Sequence, residues 1–340
     1  MNKTVQVSTV NAARAYGELR RLKAATAFGN GAILIDEFDR AIFDDILRRY
    51  MLWNRIDMRL APGETTGGFD QTLTQSARSA PVRNLGFSTT SPSREARTRR
   101  NIKSIVADLE FGIFDLSVYQ QQGRRFGNLE EKDVNDMVTG CLRLWSALAY
   151  TGDVNMDADE FDGLRVLLGA GDTVDATTSI VNAIAAEIVS LMNTSAKDVQ
   201  PTAIYTNSQI VFRIEQELLK IGNKLVYAPI QVGQGVFQVA QLNTPGGTLP
   251  LIADPFNTVI AGTPDVYPTY ILSEDKLSWQ YVEVLGEAGA EPKTFQLSDD
   301  TDLDRRFKTL QFGAMELLGG TNHHSRLNIE DRTTIVDPTA

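Results

Sequence analysis

Between Asn128 and Gly152 the chain reads NLEEKDVNDMVTGCLRLWSALAYTG. Apolar side chains return there at three- and four-residue steps: Val134, Met137, Val138, Cys141, Leu142, Leu144, Trp145 and Leu148. That period predicts one long amphipathic helix. Asn128 can accept from the first free backbone N–H groups, and Glu131 stands where the acid of a capping box belongs. Gly152 can end the helix by entering the left-handed region at little cost. A second apolar stripe, Phe38, Ile42, Ile46, Tyr50 and Trp53, widened by Phe43 and Leu47, predicts a helix over 36–53. It follows a polar, small-residue segment, 1–35, broken by GNG at 29–31. Further helices are expected from Ala176 to Asn193 on Ile180, Ile184, Ile188 and Leu191, and from Asn207 to Ile221 on Ile210, Ile214, Leu218 and Ile221, with Gly222 as its stop. TAIYT, PLIADP, YPTYILS, SWQYVEVLG and RRFKTLQFGAMELLGG read as strands, and residues 223–250 as loops or a hairpin. The alternation of helix and strand predicts a small mixed sheet covered by helices.

From Asn54 to Gln122 the pattern changes. RIDMRLAPG alternates like a strand, a Gly-, Ser-, Pro- and Arg-rich stretch follows, and NIKSIVADLEF alternates again through Ile105, Ala107, Leu109 and Phe111. Past Gly112 the apolar parity switches to Phe114, Leu116 and Val118, which predicts a bulge or bend. The simplest reading is one long two-stranded hairpin. An isolated ribbon of that length is marginal in water and leaves its edges open, so other copies of the chain are expected to hold it.

Length and composition narrow the function. At 340 residues, 42% hydrophobic and 22% charged, the chain can bury a core of ordinary size, and two domains are a fair expectation. A formal net charge of −10 has the wrong sign for a protein that grips phosphate backbones. Cys141 is the sole cysteine, which excludes an intrachain disulfide and suits a reducing compartment; on the apolar stripe it reads as a small buried hydrophobe. No signal-peptide core and no run of 18 apolar residues occurs, so neither a leader nor a membrane span is expected.

Candidate chemistry is thin. Asp153, Asn155, Asp157 and Asp159 have the spacing of the first four ligands of a calcium loop, but Ala158 stands where its glycine belongs and Leu164 where its bidentate Glu belongs. A solvated acidic turn is the plainer reading. His323 and His324 are the only histidines; on a strand they would face opposite ways, and they read as packing residues. There is no G-x-S-x-G elbow, no H-E-x-x-H and no phosphate-binding glycine loop. The match of SEDK at 273–276 to S-x-x-K lacks its companion K-T-G. No catalytic residue and no cofactor are expected. The one basic concentration is Arg94, Arg97, Arg99, Arg100 and Lys103, with Arg78 and Arg83 nearer the hairpin tip. Stacking aromatics are few there, so pairing with carboxylates on a neighbouring copy is favoured over nucleic acid, with Glu130, Glu131, Asp133 and Asp136 at the start of the long helix as partners.

This order of elements resembles the major capsid proteins of tailed double-stranded DNA bacteriophages, the HK-ninety-seven-type fold. QFGAMELLGGTNHHSRLNI resembles that family's closing strand and final turn, and TPDVYPTYILSED its approach to an axial strand. The resemblance implies an α+β fold divided into an N-terminal arm and helix (1–53), an extended hairpin loop (54–122), a peripheral domain with the long spine helix (123–175 and 301–340) and an axial domain (176–300). It implies a structural protein that self-assembles as pentamers and hexamers of an icosahedral shell, formed in the host cytoplasm and found in the virion. Its partners would be other copies of itself, a portal, decoration proteins, and packaged DNA held without sequence-specific contacts. About 35 residues before the first helix are too few for a built-in scaffolding segment, so a separate scaffolding protein is expected. Lys103 is the only lysine in 54–122, and crosslinking through the loop is not expected. Two alternatives stand: an encapsulin-type compartment shell that loads protein cargo, and a metal-dependent enzyme built on the acidic connector.

Overall fold

A computed structural model describes residues 50–67, 71–74, 93–95, 99–111, 129–175, 178–193, 200–232, 235–286, 288–297 and 305–330. Its first helix, α1 (Met51–Arg55), starts only after Tyr50, whose backbone is not helical, so the helix expected over 36–53 does not run unbroken to its end; positions 36–49 lie outside the described residues. Strand β1 (Asp57–Leu60), the short strands β2 (Gln71–Thr74) and β3 (Ser93–Glu95), and β4 (Lys103–Phe111) follow. The long helix α2 spans Leu129–Thr151. After it come α3 (Leu164–Leu167), β5 (Asp172–Val174), α4 (Ile180–Asn193), β6 (Ala203–Thr206) and α5 (Ser208–Lys220). Residues 223–250, expected as loops or a hairpin, supply the hairpin of β7 (Val226–Val232) and β8 (Gly235–Thr244) and lead into β9 (Gly247–Ala253), the strand expected at PLIADP. The chain closes with β10 (Val266–Leu272), β11 (Leu277–Val282), β12 (Lys293–Leu297), β13 (Arg305–Leu317) and β14 (Ser325–Glu330).

The strands form two large sheets. In the first, β13 is central: β4 runs antiparallel along one edge, while β11 and β12 follow one another along the other. Strand β1 extends this sheet in parallel with β11, Met58 lying beside Trp279. In the second, the order is β5-β14-β10-β6-β9-β8-β7. Helices α4 and α5 bury Ile184, Ile188, Ile210 and Ile214 against Ile204, Leu251, Ile271 and Ile329 of that sheet, as the mixed-sheet expectation requires. Carboxylate Glu217 of α5 is 1% exposed and caps α4, accepting from Ser179 Oγ at 2.9 Å, Ile180 N at 3.2 Å and Val181 N at 3.3 Å. That places a negative group on the helix end where unpaired N–H groups and the macrodipole favour it.

Two sequence expectations need correction. The strand-like pieces RIDMRLAPG and NIKSIVADLEF do not pair with each other, because β1 is taken by β11 and β4 by β13. Pairing of the loop's two sides appears farther along, between Thr65 and Asn101 and between β2 and β3. Sheet membership also cuts across the boundary expected at 300. Strands β11 and β12, inside 176–300, belong with β13, whereas β14, inside 301–340, pairs with β10. The chain changes sheet at two tight turns, Glu274–Lys276 and Gly320–Asn322.

The long helix buries the face its period predicts, with Val134, Val138, Leu142, Trp145 and Ala149 each at most 2% exposed. Leu144, counted with that stripe, is 47% exposed and lies outside it. Cys141 is buried, and desolvation pushes its thiol up to about 11, so it packs as a hydrophobe. At the N-terminal half Val134, Met137 and Val138 meet Phe111 and Phe307. At the C-terminal half all three tryptophans of the chain gather, Trp53 and Trp145 at 4.7 Å and Trp145 and Trp279 at 5.5 Å between ring centres, both edge to face. Gly152 does not use the left-handed region. It is needed for close approach: a Cβ there would collide with the Phe161 carbonyl and lie 2.8 Å from that of Leu148. Asn128 lies outside the described residues, and so does the Glu131 side chain, so the expected capping box is not among them.

Candidate assembly interface

The loop leaves and rejoins the body at a two-stranded neck. Thr66 N donates to Arg100 O at 2.8 Å, Ile102 N to Glu64 O at 2.9 Å, and Arg100 N to Thr66 Oγ1 at 3.0 Å. On the outgoing side the neck is pinned to the first sheet by Gln280, whose Oε1 accepts from Gly67 N at 2.7 Å and whose Nε2 donates to Gly67 O at 3.0 Å. Nε2 also donates to the Glu316 carboxylate, and both side chains are 2% exposed. A side chain at 67 has no room, since a Cβ would overlap the Pro62 ring. A groove of about 650 Å³ opens beside the neck, lined by Glu64, Thr65, Asn101, Ile102, Val282 and Phe312.

On the returning side two features of the sequence meet that local pattern kept apart. The Arg100 guanidinium pairs with Asp162, and Lys103 Nζ donates to Ala158 O. Asp162 also accepts from Val154 N at 3.1 Å through its other oxygen. The acidic connector 153–162 therefore clasps the base of the loop. Its own ends are closed by Gly163 N donating to Gly152 O at 2.9 Å. Asp162 is 8% exposed at its side chain, and Arg100 supplies the counter-charge that such burial requires.

The expected calcium ligands face their own backbone instead of a common centre. Asp153 Oδ1 accepts from Asn155 N at 2.9 Å and Asn155 Nδ2 at 3.0 Å, and Asp157 Oδ1 accepts from Asp159 N at 3.0 Å. These are the local turns that Asp favours. Among the described residues no three His, Cys, Asp or Glu side chains gather as metal ligands would.

Of the arginines expected to reach a neighbour, Arg100 is paired within the chain, with Asp162. Arg99 is exposed. Arg94 lies on β3 by its backbone, and Arg78, Arg83 and Arg97 lie outside the described residues. On α2, Glu130 and Glu131 occupy the first turn, Asp133 is half-buried and Asp136 exposed. Sequence reasoning missed Asp162 and Gln280: no motif singles out the last Asp of an acidic run or one Gln of an alternating strand.

Two buried titratable groups lie at the junctions. His324, in a turn rather than on a strand, is 0% exposed; its Nδ1 accepts from Ser273 N at 3.2 Å while Nε2 lies 3.3 Å from Leu318 O. That pairing selects the neutral Nε2–H tautomer, and desolvation pushes the ring down to about 3. Asp254, 1% exposed, accepts from Tyr150 Oη at 2.8 Å and Phe256 N at 2.9 Å, and burial pushes it up to about 6.

No protein-family model matches the chain, and no curated protein resembles it in sequence. Solved structures do. The holo-SrpI encapsulin complex from Synechococcus elongatus PCC 7942 aligns over 98% of this chain and 98% of its own, at a TM-score of 0.57 and 10% identity. The fold is the HK-ninety-seven-type shell fold. The capsid of an empty GTA particle covers 95% of this chain and 100% of its own at a TM-score of 0.49 and 10% identity, and a chain from Mycobacterium phage Patience covers 89% and 90% at 0.49 and 10%. No helix among the described residues is long and apolar enough to cross a membrane.

Proposed function

We propose that this chain is the self-assembling subunit of a closed icosahedral shell, built from pentamers and hexamers, that encloses a phage double-stranded DNA genome. The observation that carries the shell reading is the likeness to an encapsulin from end to end, 98% of both chains. The net charge of −10 supports DNA as content, because an acidic wall repels phosphate and lets a genome be packed and released without sticking. The role is structural rather than catalytic, and the partners are further copies, a separate scaffolding protein, a portal and decoration proteins. Residues 1–53 serve as arm and 54–122 as loop, while the peripheral part (123–175 with 301–340) gains β11 and β12 from the axial part (176–300) and gives β14 to it. Arg78, Arg83, Arg94, Arg97 and Arg99 meet carboxylates such as Glu130, Glu131, Asp133 and Asp136 of a neighbouring copy. A second reading, a compartment shell loaded with protein, is favoured by the same encapsulin likeness.

Electron microscopy of the purified protein across concentration is the test. Closed particles or capsomer rings support the reading, and a monomer at every concentration with loop amides already protected overturns it. Nuclease-protected double-stranded DNA in particles from the native source supports the genome shell, whereas protein content without nucleic acid supports the compartment. Charge reversal by Arg97→Glu with Arg99→Glu is expected to block or distort assembly while the subunit stays soluble; particles of normal form would remove the arginines from the interface.

A further inference from the structure

The neck of the loop is held by more than its own strand pairing. On β11, Trp279 faces the tryptophan cluster, so Gln280 faces the opposite side of the sheet. There both hydrogens of its amide nitrogen are used, one on Gly67 O and one on Glu316, and its oxygen accepts from Gly67 N. Pro62 closes the space where a side chain at 67 would stand. The returning strand is held by a different element: Arg100 is tied to Asp162, and Asp162 in turn holds Val154 N. Arg100 is also bonded to Thr66 through its own N and O, so the two ties act on one rigid unit.

We propose that Gln280 and Asp162 are positioning residues that set the direction in which the loop leaves the subunit before any neighbour is engaged. This rests on the shell reading, in which the loop is the part that reaches another copy. A loop aimed in advance loses less freedom on association, and that lowers the cost of forming the interface. The two ties grip opposite strands of the neck, so losing either one lets the neck rotate about the other.

Amide hydrogen exchange on the isolated, full-length subunit tests the ties. Thr66 and Ile102 are expected to be protected in the native chain. In Gln280→Ala, and separately in Asp162→Asn, exchange at both is expected to quicken by roughly tenfold or more, while amides in the middle of α2 and the tryptophan emission stay unchanged. Both variants are expected to yield fewer or misshapen shells, and Arg100→Lys, which keeps a cation opposite Asp162, to retain part of the native yield. Unchanged exchange at Thr66 and Ile102 in both variants overturns the proposal. So does quickened exchange accompanied by shells of native size and yield. If Gln280→Ala fails to fold, Asp162→Asn, whose tie is nearer solvent, carries the test. A native chain that forms no shells defeats the shell reading, and the exchange result then decides the ties by itself.

Discussion

Lowering the pH from 7 to 4 perturbs two buried groups in opposite directions. His324 is held neutral, with a folded value of about 3 against 6.5 for a free ring. The unfolded chain takes up that proton first, so the stability His324 contributes is complete above pH 6.5 and is lost as pH falls toward 3. The loss runs at about 1.4 kcal/mol per pH unit. Asp254 behaves the other way: its folded value is about 6 against 3.8, so its favourable contribution is complete below 3.8 and is lost as pH rises through 6. The slope has the same size and opposite sign, and the two nearly cancel between pH 4 and 6. Single substitutions expose each part. Asp254→Asn keeps an acceptor for Phe256 N and a polar partner for the Tyr150 hydroxyl, without a charge to bury. Its stability relative to the native chain is expected to rise by about 2 kcal/mol between pH 4 and pH 7. His324→Gln keeps an acceptor and a donor for Ser273 and Leu318 without a titrating ring. Its relative stability is expected to rise by about 3 kcal/mol in the reverse direction, from pH 7 to pH 4. Urea unfolding of dissociated subunits followed by tryptophan emission gives both differences directly. A difference for Asp254→Asn that stays flat within about 0.5 kcal/mol over that range would refute the claim that desolvation governs this carboxylate.

Two further outcomes test the packing. Glu217→Gln turns an N–H toward helix donors that the carboxylate now accepts, and is expected to cost about 2–4 kcal/mol in urea unfolding; a loss below about 0.5 kcal/mol would show the cap to be idle. Trp145→Ala removes the centre of the three-tryptophan cluster and is expected to cost about 3–5 kcal/mol and to shift the emission of Trp53 and Trp279 to longer wavelength; unchanged emission would mean that the rings do not share one dry core.

The alternation of β4 is legible in the amino-acid order alone. Ile105, Ala107, Leu109 and Phe111 fall on one face because a half-buried strand has a period of two, and they are the more buried residues of the strand. The helices follow from the same kind of reasoning, since Ile180, Ile184, Ile188 and Leu191 lie on one side of α4 whatever packs there. The stop at Gly222 needs only a local left-handed turn, which it makes at a φ of 76°. None of this says which strand sits beside which. Strand β13 forms where a strand is expected, yet nothing in RRFKTLQFGAMELLGG announces β4 on one edge and β11 with β12 on the other.

The candidate site divides in the same way. The sequence by itself determined the long helix, the basic base of the loop and the acidic connector, because composition and short-range period are local properties of a chain. Tertiary structure alone decided that connector and loop base meet at Asp162 and Arg100, sixty-two positions apart, and that Gln280 grips Gly67 across two hundred and thirteen. The physical reason is that one amide or carboxylate is chemically the same at any surface position. Only the packing of β11 against β13, and the closure of Gly163 onto Gly152, bring these groups within hydrogen-bond reach of the neck.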